Sequence, residues 1–74
     1  MLDVSRIDFS KITYERINQG LSTVELSLKA GLSKNVVSNM EKGYVVPRLH
    51  TVGKIVNALG KKIEDFIVEE ERAI

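Results

Sequence analysis

The 74-residue chain has no cysteine, no tryptophan, one histidine and one proline, and its five glycines stand singly. Without cysteine there is neither a disulfide framework nor a thiolate zinc site, so stability has to come from packing. The one histidine, His50, has no partner ligands nearby, so neither a metal nor a cofactor is expected. With only Pro47 and no Pro-, Gly- or Ser-rich stretch there is no linker, and residues 1–74 read as one domain. No apolar run approaches the ~18 residues of a membrane helix, and Met1–Arg6 lacks a basic segment leading into an apolar one; a cytoplasmic protein is expected. No carboxylates converge as an acid/base pair and no nucleophile has a base near it, so an enzyme is not expected. An excess of charge of one sign is missing too, since eleven Lys and Arg face ten Asp and Glu.

What is present is a soluble composition, 43% hydrophobic and 28% charged, divided by glycines at the points where helical patterns stop. The spacing predicts an all-α fold of five short helices, with no strand alternation anywhere. The first runs from about Ser10 to Gln19, with Phe9, Ile12, Thr13 and Ile17 toward one side and Gly20 at its end. Ser22-Thr23-Val24-Glu25 has the form of a capping box and opens the second, which Gly31 cuts after Lys29 or Ala30. The third is expected to be capped by Ser33 and closed by Gly43, the fourth to cover Leu49 to Leu59 and stop at Gly60, and the last to cover Ile63 to Val68. The expected core is 9–68, with a short N-terminal arm 1–8 and an acidic tail 69–74.

Residues 23–42 are the most informative stretch. Two helices cross through so short a connection only if the crossing residue is small and one turn residue tolerates an unusual backbone angle; Ser27 and Gly31 meet those needs. Leu26, Ala30, Leu32, Val37 and Met40 then point inward, which leaves Ser33, Lys34, Asn35, Ser38 and Asn39 outward. An Asn amide pairs bidentately with adenine, Lys reaches guanine or a phosphate, and Ser serves either, so this face suits a DNA groove.

Arg16, Gly20-Leu21-Ser22, Glu25-Leu26, Ala30-Gly31-Leu32-Ser33, Ser38, Glu41, Gly43, Pro47 and Ala58-Leu59-Gly60 together resemble the Cro/repressor-type (Xre-like) helix-turn-helix domains with the lambda-repressor-like fold. The resemblance covers about Ile12 to Phe66. It implies base contacts from Lys34, Asn35, Ser38 and Asn39 on the third helix, with backbone contacts from Thr23, Ser33, Lys42 and Arg48. It also implies a structural ion pair between Arg16 and Glu41. The chain departs from the family at the fourth helix, where Arg48 and His50 replace a capping Ser or Thr and an acid, and where Gly53 replaces a Leu and suggests close packing. Lys62 likewise replaces a capping Ser before the last helix.

Blander roles compete with these. Ser33 is a helix cap whatever else it does, the outward polar face could be ordinary solvated surface, and Val36 is as readily a packing residue as a thymine-methyl contact. Val24 and Leu28 read as neighbour packing on the second helix. Val45, Val46, Ile63 and Ile67 are the candidates for a dimer interface. A domain this small reads few base pairs, so a homodimer on a palindromic operator with half-sites about 34 Å apart is expected. The leading function is a sequence-specific double-stranded-DNA-binding transcriptional regulator, a repressor, located on the nucleoid. The alternatives are an antitoxin-type regulator that also holds a toxin-like or other partner protein, and a protein-interaction adaptor without DNA binding. The balanced charge hides a segregation: ten basic residues face five acidic ones up to Ile63, and one faces five from Glu64 on.

Overall fold

The computed structural model describes residues 2–68; the expected acidic tail 69–74 lies outside them. Four α-helices form the domain: α1 (Phe9–Asn18), α2 (Thr23–Lys29), α3 (Val36–Glu41) and α4 (Leu49–Ala58). A 3-10 turn precedes them at Val4–Arg6 and another follows at Ile63–Phe66. The fold is all-α, and among the described residues the only β pairing is one isolated antiparallel bridge between Ile7 and Ile67.

Local chemistry starts and stops each helix. The Asp8 carboxylate caps α1, accepting from the Lys11 N–H at 3.2 Å and from the Ser10 hydroxyl at 2.8 Å. The Ser22 hydroxyl accepts from the Glu25 N–H at 3.0 Å, and the Glu25 carboxylate accepts from the Ser22 N–H at 2.8 Å, completing the capping box of α2. At the end of α1, Gly20 takes φ +73° and donates to the Ile17 carbonyl, while Leu21 donates to that of Arg16. This is a Schellman motif, and the same pair of bonds closes the other three helices. The Gln19 amide then reaches across to the Leu59 carbonyl at 2.8 Å and satisfies the end of α4 from α1.

Ile12, Leu26, Val37, Val52 and Ile55 are wholly buried, one or two from each helix, with Met40, Val56, Leu59 and Phe66 around them. Each contributes about 1.5–3 kcal/mol by leaving water. Two expectations fail here. Ile17, placed on the core side of the first helix, is 57% exposed; Ile7, assigned to an arm outside the core, is buried within it.

The fifth helix is the third correction, since Ile63–Phe66 makes only one 3-10 turn, with the Asp65 carboxylate accepting from the Lys62 N–H at 2.9 Å. The chain is extended by Ile67, where Asp8 donates to the Phe66 carbonyl and Val68 to that of Arg6, both at 2.7 Å. A helix continuing to Val68 would forfeit these bonds to the N-terminal segment. Gly53 is the fourth: a Cβ built there meets nothing nearer than the Ile63 side chain at 3.9 Å, an ordinary contact, so close packing does not require glycine.

Gly53→Ala should therefore stabilise the domain by about 1 kcal/mol and raise its melting temperature by roughly 4–8 °C, as read by circular dichroism. Asp8→Ala should cost about 1 kcal/mol at pH 7 through loss of the α1 cap. The Ser10 hydroxyl, ahead of the backbone N–H groups of Lys11 and Ser10, holds the Asp8 carboxyl below the usual aspartate range. Its contribution is thus present above about pH 4 and is lost as pH falls through the depressed folded value. Denaturant titrations of the two proteins should converge below that pH.

Candidate nucleic-acid interface

The site is built around the junction of α2 and α3. Ala30 ends α2, Gly31 turns the chain with φ +77°, and its N–H donates to the Leu28 carbonyl while that of Leu32 donates to Ser27. No neighbour crowds the Gly31 Cα, so the backbone angle alone favours glycine there. The Ser33 carbonyl then accepts from the Val36 N–H, and α3 begins at Val36.

The third helix therefore starts three residues after the expected Ser33 cap, and no side chain at its N-cap position, Asn35, bonds the helix. The polar partner comes instead from α2. Ser27 is fully buried; its hydroxyl donates to the Thr23 carbonyl at 2.9 Å and accepts from the Val37 N–H at 3.0 Å. It thus satisfies a helix-start donor that has no partner within α3. The small size of Ser27 is legible in the sequence, whereas the bond its hydroxyl accepts from Val37 is not, because the two residues belong to different helices.

The far end of α3 is held by an ion pair. Arg16 donates from Nε to one Glu41 oxygen at 2.8 Å and from Nη2 to the other at 3.1 Å, while Nη1 donates to the Leu21 carbonyl at 2.8 Å. Both side chains are largely shielded, at 14% and 16% exposed. A planar two-point fork of this kind fixes direction as well as distance.

Between these anchors the structure brings together most of the expected base-reading residues. Lys34 and Asn35 are exposed in the turn before α3, and Ser38 and Asn39 are half-buried on it. Asn35, Asn39 and Lys42 follow a spacing of four and then three, which puts them on one stripe opposite buried Val37 and Met40. The Lys42 ammonium lies 5.8 Å from the centre of the Tyr44 ring. Thr23, half-buried, is the first residue of α2, and Ser33 is exposed in the connection. Arg48 occupies the N-cap of α4 without a side-chain hydrogen bond to the helix, whose first turn holds exposed His50 and no acid.

The dimer candidates separate. Val45 and Val46 are exposed in the α3–α4 loop, at 48% and 70%. Ile63 instead packs on the core beside Gly53, and Ile67 forms an antiparallel bridge with Ile7; both are half-buried.

A sequence profile described as helix-turn-helix matches residues 12–66 of this chain, a span that takes in most of α1 and everything from there to the last turn. The chain belongs to the Xre-like helix-turn-helix family. It is also 34% identical over 62 residues to a protein of Methanocaldococcus jannaschii described as an uncharacterized HTH-type transcriptional regulator, an alignment covering 84% of this chain and 94% of that one. Within this span α2 and α3, joined through Gly31, are the two helices of the helix-turn-helix. No helix among the described residues is long and apolar enough to cross a membrane.

Ser27→Ala should destabilise the helix-turn-helix by about 1–3 kcal/mol, because the Val37 N–H is left buried without a partner. Urea denaturation measures the total, and amide exchange should place the largest gain in rate at Val37. An unchanged Val37 exchange rate would contradict the role given to the hydroxyl.

Proposed function

We propose that the chain is a sequence-specific double-stranded-DNA-binding transcriptional regulator, acting as a repressor, that inserts α3 into the major groove. The observation that carries this is the stripe of Asn35, Asn39 and Lys42, at the N-cap, on and at the C-cap of a helix held at its start by Ser27 and at its end by Arg16. Such a stripe offers amide and ammonium groups at a fixed orientation, which is what reading base edges demands. Lys34, Asn35, Ser38 and Asn39 take the base edges, and Thr23, Ser33, Lys42 and Arg48 the phosphates.

The charge distribution agrees with this placement. Glu64 and Asp65 lie on the last 3-10 turn, which packs chiefly against α1 and α4, whereas Lys34 and Lys42 flank α3. Acids on that turn add little phosphate repulsion at α3. A modest affinity for each subunit suits a homodimer on a palindromic operator, where two half-sites add their binding energies.

In vitro selection from random duplexes at stated salt should enrich a palindromic motif. Asn39→Ala should then relax the preference at one position of each half-site by about 1–3 kcal/mol. Lys42→Ala should weaken all sequences alike and reduce the slope of log affinity against log salt by about 1. Failure of the wild type to enrich any motif would overturn the reading and favour a protein-interaction adaptor.

A further inference from the structure

The closure of α3 differs from those of α1 and α2 in the side chain that completes it. Gly43 takes φ +78° and donates to the Met40 carbonyl at 3.1 Å, and Tyr44 donates to that of Asn39 at 2.9 Å. The residues in the place of Tyr44 after α1 and α2 are Leu21 and Leu32, and both pack against the core, as an apolar side chain at this position commonly does. Tyr44 is instead 72% exposed, so burial does not account for its ring. What the ring meets is Lys42. The ammonium lies over its face 5.8 Å from the centre, within the ~6 Å reach of a cation–ring attraction.

Lys42 stands at the C-cap of α3, in the stripe with Asn35 and Asn39. Among the described residues no carboxylate pairs with it; the adjoining Glu41 presents both oxygens to Arg16. The kind of partner decides what the lysine can still do. A carboxylate would neutralise the ammonium and occupy its N–H groups, whereas a ring face attracts the charge and leaves N–H groups to donate elsewhere. A lysine stem is a flexible four-carbon chain, and fixing it on a phosphate costs the rotamer freedom it had before. A stem already drawn over a ring has less of that freedom to lose.

We propose that Tyr44 is a positioning residue for Lys42: its ring holds the ammonium beside the α3 stripe, with charge and donors intact for a DNA phosphate. The tyrosine acts through the lysine and not on the DNA itself. The bond by which residue 44 closes α3 comes from its main-chain N–H, so removing the ring leaves that closure in place. The role on DNA rests on the reading of α3 given above, whereas the ring contact in the free protein does not.

The test measures the contact and its use separately. In the free protein the ε-methylene protons of Lys42 should be shifted upfield by the ring current in the wild type and in Tyr44→Phe, but not in Tyr44→Leu. Affinity is then measured at fixed salt for a duplex carrying the selected half-site and for one of unrelated sequence. Tyr44→Leu should weaken both about 2–5-fold, the worth of an exposed cation–ring contact, and Tyr44→Phe should bind like the wild type. With Lys42→Ala already in place, Tyr44→Leu should cost nothing more, since the ring then has no ammonium to hold. Absence of the upfield shift from the wild type would overturn the proposal before any DNA is added. Binding by Tyr44→Leu at full wild-type strength would overturn it too and leave the reading of α3 standing. An equal loss in the Lys42→Ala background, or a loss in Tyr44→Phe as large as in Tyr44→Leu, would mean that Tyr44 meets the DNA directly, and would overturn the positioning role. A wild type that binds neither duplex would overturn the reading of α3 and this use of Tyr44 with it.

Discussion

The buried hydroxyl of Ser27 is the interaction on which α3 depends. α3 has six residues, well short of the ~12–15 at which an isolated helix becomes marginally stable. Its own N-cap position supplies no side-chain bond, so one of its first N–H groups is satisfied by a hydroxyl ten residues earlier. That hydroxyl gives its proton to Thr23 within α2 and takes the Val37 N–H from α3, so each helix fixes the other's rotation. Alanine would fit the space and lose the bond, while threonine would bring a methyl group into a site with no exposure. The Arg16–Glu41 fork does the complementary work at the other end, and between them a helix of less than two turns acquires a defined direction.

How much of this was readable in the sequence depends on the range of the interaction. The capping box of Ser22 and Glu25 and the glycine closures are set by residues within five positions of one another, and such signals survive in a single sequence. The Ser33 cap failed because α3 begins only at Val36, where the Val37 N–H is satisfied by Ser27 of the preceding helix, and a bond across a turn leaves no local pattern. The fifth helix failed for the same reason at greater range. Ile63, Phe66 and Ile67 have a helical spacing, yet Ile67 is claimed by Ile7, sixty residues away, through bonds that need an extended chain. Of the site residues, Lys34, Asn35 and Asn39 were visible as a polar run beside buried positions, whereas the division of Val45 and Val46 from Ile63 and Ile67 needed the tertiary packing.

The electrostatics follow a similar logic. A net charge of +1 conceals a basic body and an acidic end, and the structure adds that some of the body's acids are already occupied. Glu41 is taken by Arg16, Glu25 by the start of α2, and Asp8 by the start of α1. Lys34 and Lys42 are exposed beside the Asn35–Asn39 stripe. The local field over that stripe is therefore set by basic residues that the whole-chain sum does not reveal.

The two helix starts that flank α3 differ in a way that ranks the proposed phosphate contacts. At α2 the Glu25 carboxylate sits against the Ser22 N–H, so the positive end of that helix already has an anion, and a phosphate near Thr23 would meet a like charge. At α4 there is neither a side-chain cap nor an acid in the first turn, and the residues there are Arg48 and His50. A missing cap costs about 0.5–2 kcal/mol, and interior Gly53 adds roughly 1 kcal/mol relative to alanine, so the start of α4 is left weak by its own sequence. A phosphate at its start would supply the absent anion, neutralise Arg48 and stabilise the helix when DNA is bound. On this argument the α4 end would hold a DNA backbone more strongly than the α2 end, and such a contact would firm a helix whose start lacks a cap of its own.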